Sequence, residues 1–205
     1  MPRVFAIALN HPRLAALLLG LLAALGFEPL ALWPLSLLGL AGMLGLLVHA
    51  PTRKAAFVLG WCFGLGHFAL GLNWIAKAFS YQAAMPAWLG WGGVFGLSAY
   101  LAIYPGLAML GAWHARSWLV ALIPALGASW IVAEWLRGWV FTGFPWNPLG
   151  AVLLGPFDAV GAARLLPWSG TYALSGLAAL FAGLWYAGLT RFRADRRMLA
   201  LLLVP

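Results

Sequence analysis

Glu134 and Arg137 are the residues of this chain best placed to do chemistry. They stand three positions apart at the end of an apolar run, and Gly138-Trp139-Val140-Phe141-Thr142-Gly143-Phe144-Pro145-Trp146 follows at once. Ionised groups at membrane depth are costly, so they face a protein interior or an aqueous cavity and usually have a partner. Residues three apart share one face of a helix, so this acid and base can neutralise each other. Such a pair either anchors the helix end or fixes what the Gly/Pro/Trp-rich turn presents.

Cys62 and His67 are the next candidates, within Gly60-Trp61-Cys62-Phe63-Gly64-Leu65-Gly66-His67. A cysteine and a histidine suggest a nucleophile with its base. Their five-residue spacing suits no single helical face, however, and no third orienting group is nearby. A free cysteine in an apolar span is a packing residue. Gly60 and Gly64 form the small-residue spacing that lets helices approach closely, and His67 is expected as a hydrogen-bonded interior histidine. Trp74 fits an interfacial aromatic belt, while Asn73 suits either a neighbouring helix or a polar head group. Glu28 caps or solvates a turn, and Ser169, Thr171 and Tyr172 cap a helix or bond between helices. No Ser/His/Asp set, phosphate loop, metal-ligand cluster or carboxylate pair is written in the sequence. It offers no catalytic constellation and points to no cofactor or metal.

The elements that position these residues follow from composition. Of 205 residues, 64% are hydrophobic and 8% charged, against roughly 25% charged in soluble domains. The 13 Trp and 25 Gly fit membrane helices, with aromatics at interfaces and glycines at helix contacts. The expected fold is all-α, a polytopic transmembrane helix bundle. The net charge of +8 lies mainly in short loops between apolar runs, a topology signal rather than a nucleic-acid surface. A single cysteine excludes an internal disulfide. The first apolar run continues into a second without a small-residue cleavage site, unlike a secretory signal peptide.

Spans are expected at about 14–26, 30–48, 55–76, 88–113, 118–136 and 167–189, the first two separated by Gly26-Phe27-Glu28-Pro29. A seventh apolar run covers 198–205. Eight helical residues reach about 12 Å, short of the roughly 30 Å hydrocarbon core, so this span reads as incomplete. With the N-terminus inside, Arg3, Arg13, Arg53, Lys54, Arg116, Arg191, Arg193, Arg196 and Arg197 fall on one side. Lys77, Arg137 and Arg164 remain for the other. That asymmetry predicts a cytoplasmic N-terminus. The connection at 138–166 is then on the outer face, and its many aromatics predict that it lies on or dips into the outer leaflet.

Three motifs in order resemble one family. They are Gly26-Phe27-Glu28-Pro29 with Leu32-Trp33-Pro34-Leu35, then Gly60–Phe68 with Gly71-Leu72-Asn73-Trp74-Ile75. The third is Glu134-Trp135-Leu136-Arg137-Gly138 with Thr142-Gly143-Phe144-Pro145-Trp146, followed by Gly150 and Gly170-Thr171-Tyr172. Across roughly residues 14 to 190 the chain resembles the membrane part of bacterial apolipoprotein N-acyltransferases. One departure is Ala151, where the family commonly has Tyr.

The resemblance implies an enzyme that moves an acyl chain from a phospholipid to the α-amine of a lipoprotein's lipidated N-terminal cysteine. It implies a thioester intermediate on a cysteine of a Glu-Lys-Cys triad. That triad belongs to a nitrilase-like domain inserted after the seventh span, so none of its residues is expected in this chain. Cys62 lies in the wrong element and near the wrong leaflet to replace it. The implied partners are a phospholipid acyl donor, a lipoprotein acceptor, membrane lipids and the nitrilase-like domain, in cis or as a separate chain. Glu134, Arg137, Thr142, Gly143, Phe144, Pro145, Trp146, Asn73 and Trp74 are the candidate cradle or structural residues. The competing classes are a small membrane transporter, weakened by the lack of evident broken helices, and a non-catalytic membrane scaffold.

Overall fold

A computed structural model describes residues 8–81, 86–140, 143–155 and 161–191. The described residues are helical or irregular, with no strand among them. Helix α1 spans Pro12–Ala24, α2 Trp33–Val48 and α3 Arg53–Gly71. The short α4, Trp74–Phe79, leads to α5, Ala87–Leu101, and α6, Ile103–Trp113. Helix α7 spans Leu119–Trp139, and α8 spans Leu166–Arg191 after 3-10 turns at Leu149–Leu153 and Ala162–Leu165.

Local chemistry explains the boundaries. Prolines sit in the first turns of α1 and α2, where the missing N–H costs no helical bond. The Thr52 hydroxyl caps α3 by accepting from Ala55 N at 3.1 Å. Pro105 cannot donate to the carbonyl four residues back, and the helix breaks at Ala102 before resuming as α6. Gly170, at φ 72° and ψ 170°, puts a non-helical residue inside α8, in a region open essentially to glycine.

Helix α2 is the centre of the bundle: Leu37, Leu40, Met43, Leu44 and Leu47 are fully buried. Around it α1 packs on α3, α3 on α6, α6 on α7, and α7 on α8, which returns to α2. Ser36 of α2 donates to the Ala23 carbonyl of α1 at 2.5 Å. A Cβ at Gly60 would lie 2.5 Å from the Pro105 oxygen, and one at Gly64 2.8 Å from Ala102 Cα. The Gly60/Gly64 spacing is therefore the α3–α6 contact.

Four helical stretches, Arg53–Gly71, Trp88–Trp113, Leu119–Trp139 and Ala162–Thr190, are long and apolar enough to cross a membrane. Pro12–Ala24 and Trp33–Val48 are shorter apolar helices. Within these stretches the helices are locally interrupted: between α3 and α4 in the stretch expected at 55–76, at Ala102 in that at 88–113, and at Gly170 in that at 167–189. Helix α7 continues to Trp139, so the connection expected from 138 starts two residues later. Thr142 and the run at 198–205 lie outside the described residues, as do 141 and 156–160 of the connection.

Candidate functional site

Helix α7 turns one stripe inward. Trp130, Ala133, Glu134 and Arg137 are buried, while Val132, Trp135 and Trp139 are exposed, the 3.6-residue alternation of a helix with one face against protein. Glu134 and Arg137 are 2% and 3% exposed and form an ion pair at 3.3 Å. The pair thus lies inside the protein.

Its remaining bonds hold the connection that follows. Glu134 Oε1 accepts from Trp130 Nε1 at 2.9 Å and from the Leu149 backbone N–H at 2.8 Å. Arg137 Nη2 donates to the Pro145 carbonyl at 3.2 Å, and its guanidinium sits 5.4 Å from the Phe68 ring centroid. Between Pro145 and Leu149, Asn147 takes a left-handed backbone at φ 44°, which asparagine tolerates better than most residues. Gly143 turns the chain at φ 65°. Phe144, 53% exposed, and the half-buried Trp146 pack together with ring centroids 4.5 Å apart.

Two further helices grip the same segment. The Gly150 N–H donates to Ser175 Oγ of α8 at 2.8 Å, and a Cβ at Gly150 would sit 2.7 Å from the Ser175 nitrogen. Gly71, at the end of α3, faces the Asn147 side chain so closely that a Cβ would collide with it.

All three sequence motifs converge here. Phe27 meets His67 edge-on at 5.1 Å, His67 meets Phe68 at 5.1 Å, and Phe68 lies beneath Arg137. His67 is interior as expected, 6% exposed. The expected hydrogen bond is corrected, because His67 Nδ1 has no partner among the described residues and its ring is surrounded by aromatics. Glu134 Oε2 and Arg137 Nε are likewise buried without a partner among the described residues. Asn73 and Trp74 lie apart from this cluster: both are exposed at the α3–α4 break, Trp74 at 57%, and Asn73 makes no capping bond. Exposed Glu28 sits in the α1–α2 turn, whose Glu28–Pro29 peptide is cis. Cys62 is buried in α3, consistent with packing. Ser169 bonds back to the Leu165 carbonyl at 2.9 Å, and the Tyr172 hydroxyl lies against Gly138.

Sequence reasoning missed Trp130, Asn147, Phe68 and Ser175. Trp130 had a signal, standing one helical turn before Glu134. Ser175 is a lone hydroxyl in an apolar helix and gave little. The chemistry of the site is retention: a buried carboxylate and guanidinium spend their bonds on the backbone of the connection.

Known proteins share this chain's sequence. Residues 19–184 match the family described as the apolipoprotein N-acyltransferase N-terminal domain. The chain is 39% identical over 196 residues to an apolipoprotein N-acyltransferase of Ralstonia nicotianae, covering 89% of this chain and 34% of that protein. It is 36% identical to one from Vibrio vulnificus, covering 75% and 31%. It is 33% identical to one from Methylococcus capsulatus, covering 90% and 36%. The chain spans about a third of the length of these curated relatives. By the extent of these matches, it belongs to the apolipoprotein N-acyltransferase family, in the region of that family's N-terminal domain.

Proposed function

We propose that this chain is the membrane portion of an apolipoprotein N-acyltransferase, which transfers an acyl chain from phospholipid to the N-terminal S-diacylglyceryl-cysteine amine of lipoproteins. Its apolar helices form a bundle in a bacterial inner membrane, N-terminus cytoplasmic. The connection at 138–166 lies on its outer face. The Glu-Lys-Cys triad belongs to a nitrilase-like domain outside this chain, so the chain alone is inactive. Both substrates are lipid-anchored, and the bundle serves as a cradle open to the outer leaflet.

One observation carries the residue-level reading. The Glu134–Arg137 pair bonds to backbone on both sides of Trp146, at Pro145 and Leu149, and so fixes Phe144 and Trp146 at the end of the bundle. In this reading Gly143, Phe144, Pro145 and Trp146 line the lipid entrance, with Asn73 and Trp74 at its interfacial margin.

The test is a labelled-phospholipid acyl-transfer assay on membranes holding either this chain or a version extended through the nitrilase-like region. Transfer confined to the extended version is expected. Transfer by the short chain would refute the assignment of the triad and return Cys62 to consideration.

A further inference from the structure

At the end of the bundle opposite the Glu28 turn, a cavity of about 520 Å³ opens between the first turns of α1 and α3 and the last turn of α2. Arg13 and Lys54 line it, together with Thr52 and the apolar Leu9, Leu46 and Val58. Neither cation has an ion-pair or hydrogen-bond partner among the described residues.

The backbone adds to the positive field. Gly20 of α1 packs on Phe63 and His67 of α3, while Pro12 and Arg13 share the cavity with Ala55 and Leu59. The two helices therefore run in the same direction and bring their N-terminal ends to the cavity. His11 gives α1 no side-chain cap bond, Thr52 takes the Ala55 N–H of α3, and both helices turn the positive ends of their dipoles toward the cavity. Two carbonyls at or just past the opposing end of α2 are already engaged. Gly45 O contacts His49 Nδ1 at 2.8 Å, and Ala50 O accepts from Trp113 Nε1 at 3.0 Å.

We infer that this cavity binds the head-group phosphate of an anionic glycerophospholipid, with the acyl chains lying along Leu9 and Val58. Two unpaired cations and two helix N-termini select a net negative head group, and the apolar wall selects a lipid over a soluble anion. By the orientation proposed above, the lipid belongs to the cytoplasmic leaflet, away from the face assigned to acyl transfer. It is a bound structural lipid distinct from the acyl donor.

The experiment titrates the purified chain in detergent with dioleoyl phosphatidylglycerol and counts bound lipid by native mass spectrometry. Phosphatidylcholine and inorganic phosphate are run as separate arms. Arg13→Gln with Lys54→Gln should weaken phosphatidylglycerol binding about 30-fold, the contribution of two cations near a membrane surface. Arg53→Gln, on the same helix end but outside the cavity lining, should change it little, and Arg13→Lys with Lys54→Arg should retain it. Unfolding midpoints measured without lipid show whether each variant is folded. Equal loss with Arg53→Gln would mean a diffuse field and overturn the site. Equal binding of phosphatidylcholine, or displacement by inorganic phosphate, would overturn the anionic-lipid occupant. None of these readouts depends on acyl transfer, so the result stands apart from the proposed activity.

Discussion

When a helix carries a carboxylate and a guanidinium on one buried face, removing either leaves the other charged and alone. Arg137→Ala should therefore destabilise the full-length protein by about 3–5 kcal/mol, read as a lower unfolding midpoint and lower folded yield, with activity falling alongside. Unchanged yield and activity would end the assignment of this pair as the clamp. Glu134→Gln combined with Arg137→Met removes both charges and should recover part of that loss, measured as a double-mutant cycle. Ser175→Ala strands the buried Gly150 N–H at a cost of about 1–3 kcal/mol. Faster amide exchange at Leu149–Leu153, with helix content unchanged, is the expected sign. The ion pair was legible in the sequence because helical spacing places it. Its partners at Pro145 and Leu149 were not, because they contribute backbone atoms, which every residue carries. His67 shows the same limit: its interior position was readable, but the aromatic rings around it come from the α1–α2 turn and α3 together and depend on how that turn packs against α3.

At the scale of elements, the α3–α6 contact rests on residues without side chains. Gly64→Leu would drive a side chain into the Ala102 backbone, since even its Cβ would lie 2.8 Å from Ala102 Cα. A loss of about 1–3 kcal/mol is expected from such overpacking. An unchanged unfolding midpoint would show that the two helices separate at no cost. Hydropathy marked where helices lie but merged neighbours, because Leu72, Asn73 and Ala102 interrupt the backbone without interrupting the apolar run. Pro105 held the information about the second break, since a proline disturbs the turn before it. Gly170 held it for α8, although a lone glycine inside an apolar helix reads equally well as a packing residue.

At the scale of the molecule, orientation is the property on which the assignment of faces depends. In a Cys62→Ser background, Glu28→Cys should react with a membrane-impermeant maleimide added outside spheroplasts, and Arg53→Cys should react only after the membrane is opened. The reverse pattern would invert every face assigned here. The class of molecule was legible from composition alone, and the uneven distribution of Arg3, Arg13, Arg53, Lys54 and Arg116 against Lys77 and Arg164 supplied the expected direction. The meeting of three distant motifs around Phe27, His67, Phe68 and Arg137 was not legible, because sequence order says nothing of which helices become neighbours.

Because the ion pair belongs to one helix, it also bears on the order of biosynthesis. Trp130, Glu134 and Arg137 emerge from the ribosome together, and Pro145 and Leu149 follow within about a dozen residues. Helix α7 can thus pass into lipid as a neutral unit before α8 exists. A pair divided between two helices would carry each charge in alone, at about 2.5–3.5 kcal/mol apiece on insertion scales. Ser175 arrives last, and its bond to Gly150 latches a segment whose charges were matched before its neighbour was made.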